Sequence, residues 1–327
     1  MRAATGGAAM SGKGQLGFAE AFVSPGLGAN RKLERLDALI DWSPLERLAS
    51  GIRKGHRGRP PYAPLSMLKA LYLQALYDLS DPGLEEALLD RLSFRRFCGF
   101  ALDGGTPDET TICRFRGDAG AALEAAFEEI NRQFDAAGLI VRKGTLMDAT
   151  LVAAASRPPS YKAGAGAGHA REPGADWTRK KGRAFFGYKA HLGVDRGSGL
   201  IRRVVLTPAK TYESEVADRL ICGDEAAVYG DRAYEQAARR ARLKAAGIKD
   251  RIMHRRNKHT AALPHWQKRR NDLIARRRAP VEAVFSALKR LYGQRRARSR
   301  SLERNTARLF AVATVYNMRR ACLLAGP

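Results

Sequence analysis

Cysteine is scarce and unpaired in pattern: the chain has Cys98, Cys113, Cys222 and Cys322 and no C-x-x-C. This spacing suggests neither a zinc ribbon nor a disulfide framework; small buried hydrophobes in a reducing cytosol are the plainer reading. No run of eighteen apolar residues occurs, which excludes a membrane-spanning helix. The first thirty residues are rich in Gly and Ala but lack a basic start, a long apolar stretch and a cleavage site, so no secretory signal is expected. Residues 1–30 read as a flexible arm, with Met1 or Met10 as the start. There is no internal repeat. Acids are also short: 33 against 58 Lys plus Arg, a net charge of +25 over 327 residues. Between residues 251 and 300 the only acids are Asp272 and Glu282, against sixteen Lys and Arg. A long polyanion is the natural partner of such a field. Charge alone does not separate DNA from RNA, or an enzyme from a passive binder.

What is present falls into two parts. Residues 31–140 read as helical, with Leu33, Leu36, Leu39 and Ile40 at helical spacing and Leu68, Leu71, Tyr72, Leu76 and Leu79 facing inward on a second helix. A basic connector, GIRKGHRGRPPYAP, separates them. Ser80 or Asp81 caps a further helix with Pro82 at its start, and Gly138 ends the helix over 121–137. From residue 141 the pattern changes. Strands are expected over 144–153, 185–195, 200–207, 226–230 and 249–253, the second and third joined by Arg196-Gly197-Ser198-Gly199. Residues 156–183 read as a basic Gly/Pro-rich insertion, too polar for a core, and the chain from His265 onward as basic helices. The early turns suggest antiparallel pairing and the later strand–helix alternation parallel crossovers. The expectation is an α/β domain over 141–327, with a mixed five-stranded sheet and flanking helices, after an all-α N-terminal domain.

Three acids stand out. Asp148 interrupts an apolar strand, Asp231 follows Val228-Tyr229-Gly230, and Glu282 sits in the basic C-terminal stretch. Singly, each has an ordinary reading: a strand residue meeting an arginine, a turn cap, and a first-turn helix acid favoured by the dipole. Together, two Asp at strand ends and a Glu on a later helix can converge at one end of a sheet. Hard Mg²⁺ prefers such oxygen ligands. Phosphodiester chemistry needs an activated nucleophile and a stabilised leaving oxygen, which two metal ions supply together. Asp148 is the best candidate to bridge them, with Asp231 and Glu282 holding one each. Arg278 lies four residues before Glu282 and Lys289 seven after; on one ideal helix all three share a face, unless Pro280 starts or kinks it. A solvated basic face is the alternative, and the plainer one for Lys289.

Several stretches then become familiar: GRPPYAPLSMLKALYLQALYDLSDPGLEEALLDRLSFRRFCGF and PDETTICRFR in the first half, KGTLMDATLVAA, FFGYKAHLGVD, VYGDRAY and APVEAVFSALKR in the second. With these the chain resembles the transposases of the insertion-sequence-five group, within the insertion-sequence-four-like DDE superfamily, from about Leu16 to the last helix. The resemblance implies an RNase H-like catalytic core with Asp148, Asp231 and Glu282 as its DDE triad. It also implies that Arg278, Glu282 and Lys289 belong to the group's Tyr-Arg-Glu-Lys signature, although the tyrosine position is Ala275 here. Glu213-Ser214 likewise stands where relatives show His-Asp-Ser.

The implied chemistry is Mg²⁺-dependent hydrolysis at the element's ends, with Mn²⁺ able to substitute, followed by attack of the freed 3′-hydroxyls on target DNA. The implied partners are double-stranded terminal inverted repeats and target DNA. A homodimer would hold both ends, in the cytoplasm of a bacterium and associated with its nucleoid, with no membrane involved. The helical domain is implied to read the repeats and pair subunits. Further candidate DNA contacts are Lys189, Arg95, Arg96 and Arg114. Lys189 and His191 share one strand face while Tyr188 takes the other. His191 has a structural reading first, and Trp177 either stacks on a base or pins the insertion. Two other readings stand beside the transposase: a metal-dependent nuclease of the same fold, and an inactive or domesticated DNA-binding copy.

Overall fold

A computed structural model describes residues 26–52, 61–158, 171–180, 182–256 and 262–326. All but the last five residues of the arm read over 1–30, the middle of the connector and much of the 156–183 stretch therefore lie outside the described residues. Two compact units divide between Ala126 and Phe127.

The first unit is helical: α1 (Arg31–Ala38), α2 (Ser43–Ser50), α3 (Pro64–Leu76), α4 (Asp81–Asp90), α5 (Leu92–Cys98), α6 (Glu109–Asp118) and the start of α7 (Gly120–Ala136). Local chemistry sets their ends. Asn30 accepts from the backbone N–H groups of Lys32 and Leu33, Ser80 from Gly83, and Asp108 from Thr111. Ser80, not Asp81, is thus the α4 cap; Asp81 instead binds Arg116. Buried on nearly every side, α3 is the centre of this unit.

The sequence reading divides the domains at 140/141, whereas the units part inside α7. The cause is the apolar face of the helix's second half. Phe127 meets Phe310 at 5.6 Å, and Asn131 donates to the Ile201 carbonyl and accepts from Asn317.

The second unit carries β1 (Thr145–Ala153), β2 (Asp176–Lys180), β3 (Arg183–Asp195), β4 (Ile201–Pro208), β5 (Ala227–Gly230) and β6 (Lys249–Ile252). They form one mixed sheet in the order β2-β3-β1-β5-β6, with β4 also on β3. Pairing is antiparallel among β1 to β4 and parallel from β1 to β5 to β6. Helices α8 (Glu213–Leu220), α9 (Ala237–Ala245), α10 (His265–Arg278), α11 (Pro280–Leu291) and α12 (Leu302–Leu324) flank it. This is an RNase H-like arrangement. All five expected strands form. The sixth, β2, lies in the stretch read as an insertion too polar for a core. An edge strand needs only one apolar face, and Trp177 supplies it by packing on Phe186 at 5.3 Å. Just before β2, the buried carboxylate of Glu172 accepts from the backbone N–H groups of Ala155 and Ser156 and from the Ser156 hydroxyl, so its burial is satisfied.

The glycine of F-F-G-Y has a steric reason. Gly187 has φ of 154°, and a Cβ there would stand 2.2 Å from the Val152 carbonyl oxygen, so β1 and β3 approach closely only at glycine. Among the described residues, no helix is long and apolar enough to cross a membrane.

Candidate active site

Strand β1 is apolar because it runs through the middle of the sheet, and Asp148 interrupts it half-way along. The parallel register sets Thr145 against Val228 and Leu146 against Tyr229. Carried on two residues, that register brings Asp231 beside Asp148. Strand β5 is wholly buried and ends at Gly230. Asp231 then leaves the sheet and caps a single 3₁₀ turn, Arg232–Tyr234, accepting from the Ala233 N–H at 2.8 Å. The cap uses one oxygen. Asp148 accepts from the Ala149 N–H at 2.8 Å with one oxygen, and from an Arg278 Nη with the other. Burial pushes the Asp148 carboxyl above the usual carboxylate range; Arg278 opposes this, and the nearby Asp231 charge adds to it. Two carboxylates are therefore held close in a half-buried setting, with one guanidinium as partial compensation.

Arg278 reaches this place from the end of α10. Ala279 keeps helical dihedrals and Pro280 opens α11, as proline does at a first helical position. The single helical face expected for Arg278, Glu282 and Lys289 is thus divided: Arg278 ends one helix, while Glu282 and Lys289 lie on the next. Glu282 is exposed in the first turn of α11. Among the described residues, the oxygens of Asp148, Asp231 and Glu282 do not all lie within 4.8 Å of one another; the one His/Cys/Asp/Glu trio drawn that close is Cys222, Asp224 and Glu225. That trio is at the opposite end of β5. Its Asp224 pairs with Arg142 and Arg202, and its Glu225 accepts from two backbone N–H groups.

The sheet also settles the faces. Asp148 opposes Leu192, whereas Ala149 opposes His191 and Leu151 opposes Lys189. Cross-strand partners share a face, so Lys189 and His191 point away from Asp148. Lys189 is buried, donating to the Thr211 carbonyl at 2.7 Å and pairing with Glu213 at 2.9 Å. A scissile-phosphate contact therefore does not suit Lys189, whose charge already has its partner. His191 contacts the Thr207 hydroxyl at 3.0 Å and its Nδ1 has no partner. Burial, then the Lys189 charge, pushes its pKa from 6.5 down to about 4.

A pH dependence follows. The unfolded histidine takes a proton below about 6.5 but the folded one resists until about 4, so stability is lost as pH falls through that window and levels off beneath it. The loss is about 3 kcal/mol by linkage. Urea unfolding of wild type and His191→Gln at neutral pH and at the bottom of the window should differ by that amount; parallel losses in both would refute it.

The helical-unit candidates also separate. Arg95 is buried and donates to the carbonyls of Leu88, Leu102 and Gly104, bracing the turn after α5, so it is not available to DNA. Arg96 donates to the Leu27 carbonyl from an exposed position, and Arg114 is exposed on α6. Trp177 pins β2 rather than standing free.

Two residues not singled out in sequence frame the site. The Tyr234 hydroxyl is buried, has no hydrogen-bond partner, and its pKa is raised by burial and by the charges of Asp148 and Asp231. Buried Arg239 pairs with Asp218 and donates to the Tyr234 and Ser214 carbonyls, tying the turn after Asp231 to α8. The apolar setting of Tyr234 and the basic surroundings of Arg239 hid both.

A family model described as the transposase DDE domain matches residues 141–318, more than half of the chain. The chain belongs to the DDE transposases. A second model, described as a transposase domain (DUF772), matches residues 24–118. Together they place it with the insertion-sequence-four/five-like kind. No solved structure matches the chain. The family uses DNA and a divalent metal, and the side-chain oxygens at Asp148 and Asp231 fit a hard cation. The carboxylate pair carries more negative charge than Arg278 balances, and the lone Tyr234 hydroxyl is a donor suited to a hydrated ion.

Proposed function

We propose that this transposase cuts DNA at the ends of its insertion sequence and joins the freed 3′-hydroxyls to target DNA, using Asp148, Asp231 and Glu282. The observation that carries the proposal is the side-by-side placement of Asp148 and Asp231 at adjoining parallel strands. Mg²⁺, as two ions and replaceable by Mn²⁺, would activate the water or hydroxyl nucleophile and stabilise the leaving oxygen. Asp148, Asp231 and Glu282 would together hold the ions, Asp148 being the best candidate to serve both and Asp231 and Glu282 one each. Glu282 is exposed near the start of α11, where the helix dipole favours a carboxylate. Arg278 holds Asp148 in orientation and supplies positive charge where a phosphate would arrive. Lys289, with Arg96 and Arg114 of the helical unit, contacts DNA backbone. The helical unit reads the terminal repeats, and two subunits hold two ends.

The test is a joining assay with purified protein, a duplex of the element's end, a plasmid target and Mg²⁺. End-to-target products that vanish with chelator support the proposal. Cutting without joining would replace it with a nuclease of the same fold, and binding without cutting with an inactive copy.

A further inference from the structure

Five cations gather where the transposase carries no described acid to meet them. Lys180 and Arg183 come from the β2–β3 hairpin, Lys289 and Arg290 from the last turns of α11, and Arg295 from the segment beyond; all line one open groove. None has a carboxylate partner among the described residues. The family signature reaches only Lys289 of these five. Burial, then the charges of Lys180 and Arg295, pushes the Lys289 ammonium downward. Like charges drawn together across three separate segments repel at a cost that a solubility surface, which mixes its signs, does not incur. A polyanion removes that cost by neutralising several at once. The half-buried Phe185 and Leu151 floor the groove.

Its position relative to Glu282 gives the register. Lys289 lies seven residues beyond Glu282 on the same face of α11, about 10 Å at the rise of a helix. One strand of duplex advances about 3.4 Å per nucleotide. We propose that the β2–β3 hairpin, through Lys180 and Arg183, forms with α11 a DNA-backbone clamp that grips phosphates about three nucleotides from the reacting bond. The register rests on the proposed catalytic role of Glu282; the clamp itself does not. The stretch read as a polar insertion thereby gains a role: its C-terminal end carries one wall of the clamp.

The experiment measures binding, not joining, in the catalytically silent Asp148→Ala background of the full chain. Fluorescence anisotropy follows an end duplex across a salt titration. The double variant Lys180→Gln/Arg183→Gln should lower the slope of log affinity against log salt by about 1.8, roughly 0.9 for each phosphate that is no longer neutralised. Lys180→Arg/Arg183→Lys should keep the slope, which separates a missing charge from a failure to fold, and Lys244→Gln, on α9, should not alter it. Single neutral methylphosphonate linkages then locate the grip. Neutral linkages about three nucleotides from the reacting bond should weaken wild-type binding and add nothing in the double variant. An unchanged slope in the double variant overturns the clamp. A reduced slope with interference at another position keeps the clamp and overturns its register. Failure of the joining assay would leave these binding results as they are, so the two readings fail separately.

Discussion

Asp231→Asn should bind end DNA as wild type does and join it to target at least about a thousandfold more slowly, a loss of about 4 kcal/mol of transition-state stabilisation. The change preserves the turn, because an amide oxygen can still accept the Ala233 N–H that Asp231 accepts. What it removes is the charge beside Asp148. Asp148→Asn should fall as far, although for a mixed reason: its second oxygen also holds Arg278. Glu282→Gln, at an exposed position, is the cleanest of the three, since its charge meets only the weak, solvent-screened dipole at the start of α11. Pairwise combinations should cost little more than single changes, because residues that act as one unit are non-additive. Joining rates on prenicked end DNA, normalised to bound complex by gel shift, provide the check. Near-wild-type joining by any one of the three would remove that residue from the site.

The second large effect is on stability. Arg239→Met should destabilise the second unit by about 2–4 kcal/mol, chiefly the cost of leaving two carbonyls without their donors. The guanidinium is almost completely buried, pairs with Asp218 and donates to carbonyls of α8 and of the turn that follows Asp231. Removing it strands two carbonyls, whereas Asp218 keeps its pairing with Arg242. Arg239→Lys should recover little, since a single ammonium cannot reproduce the fork. Urea denaturation followed by circular dichroism measures the loss; a shift under about 1 kcal/mol would show that water replaces these bonds without penalty.

Much of this was legible in the sequence because the strong signals were local. Period-two apolar runs marked β1, β3 and β4, and an aspartate inside or just after such a run is conspicuous because a charge there needs a reason. Caps at Asn30, Ser80 and Asp108 are likewise written in three or four residues. The misses share a different cause. Strand β2 is short, polar on one face and at an edge, so its Trp177 carries nearly the whole signal. The division of Arg278 from Glu282 depends on a single proline whose two local outcomes, start or kink, differ only once the helices pack. The facing of Lys189 away from Asp148 depends on strand register, which no stretch of one strand contains. The partners of Arg95 are carbonyls of its own following turn, and a carbonyl has no residue type to read. The clamp escaped because its five cations come from three segments far apart in the chain.

The central claim is that Asp148, Asp231 and Glu282 together hold divalent cations. The most direct test is a Mn²⁺ titration of the protein bound to end DNA, counting bound ions by electron paramagnetic resonance, for wild type and for Asp148→Ala. The account predicts two tightly bound ions per active site in wild type and none in the variant, with DNA binding intact in both. Equal Mn²⁺ uptake by the two proteins would contradict it.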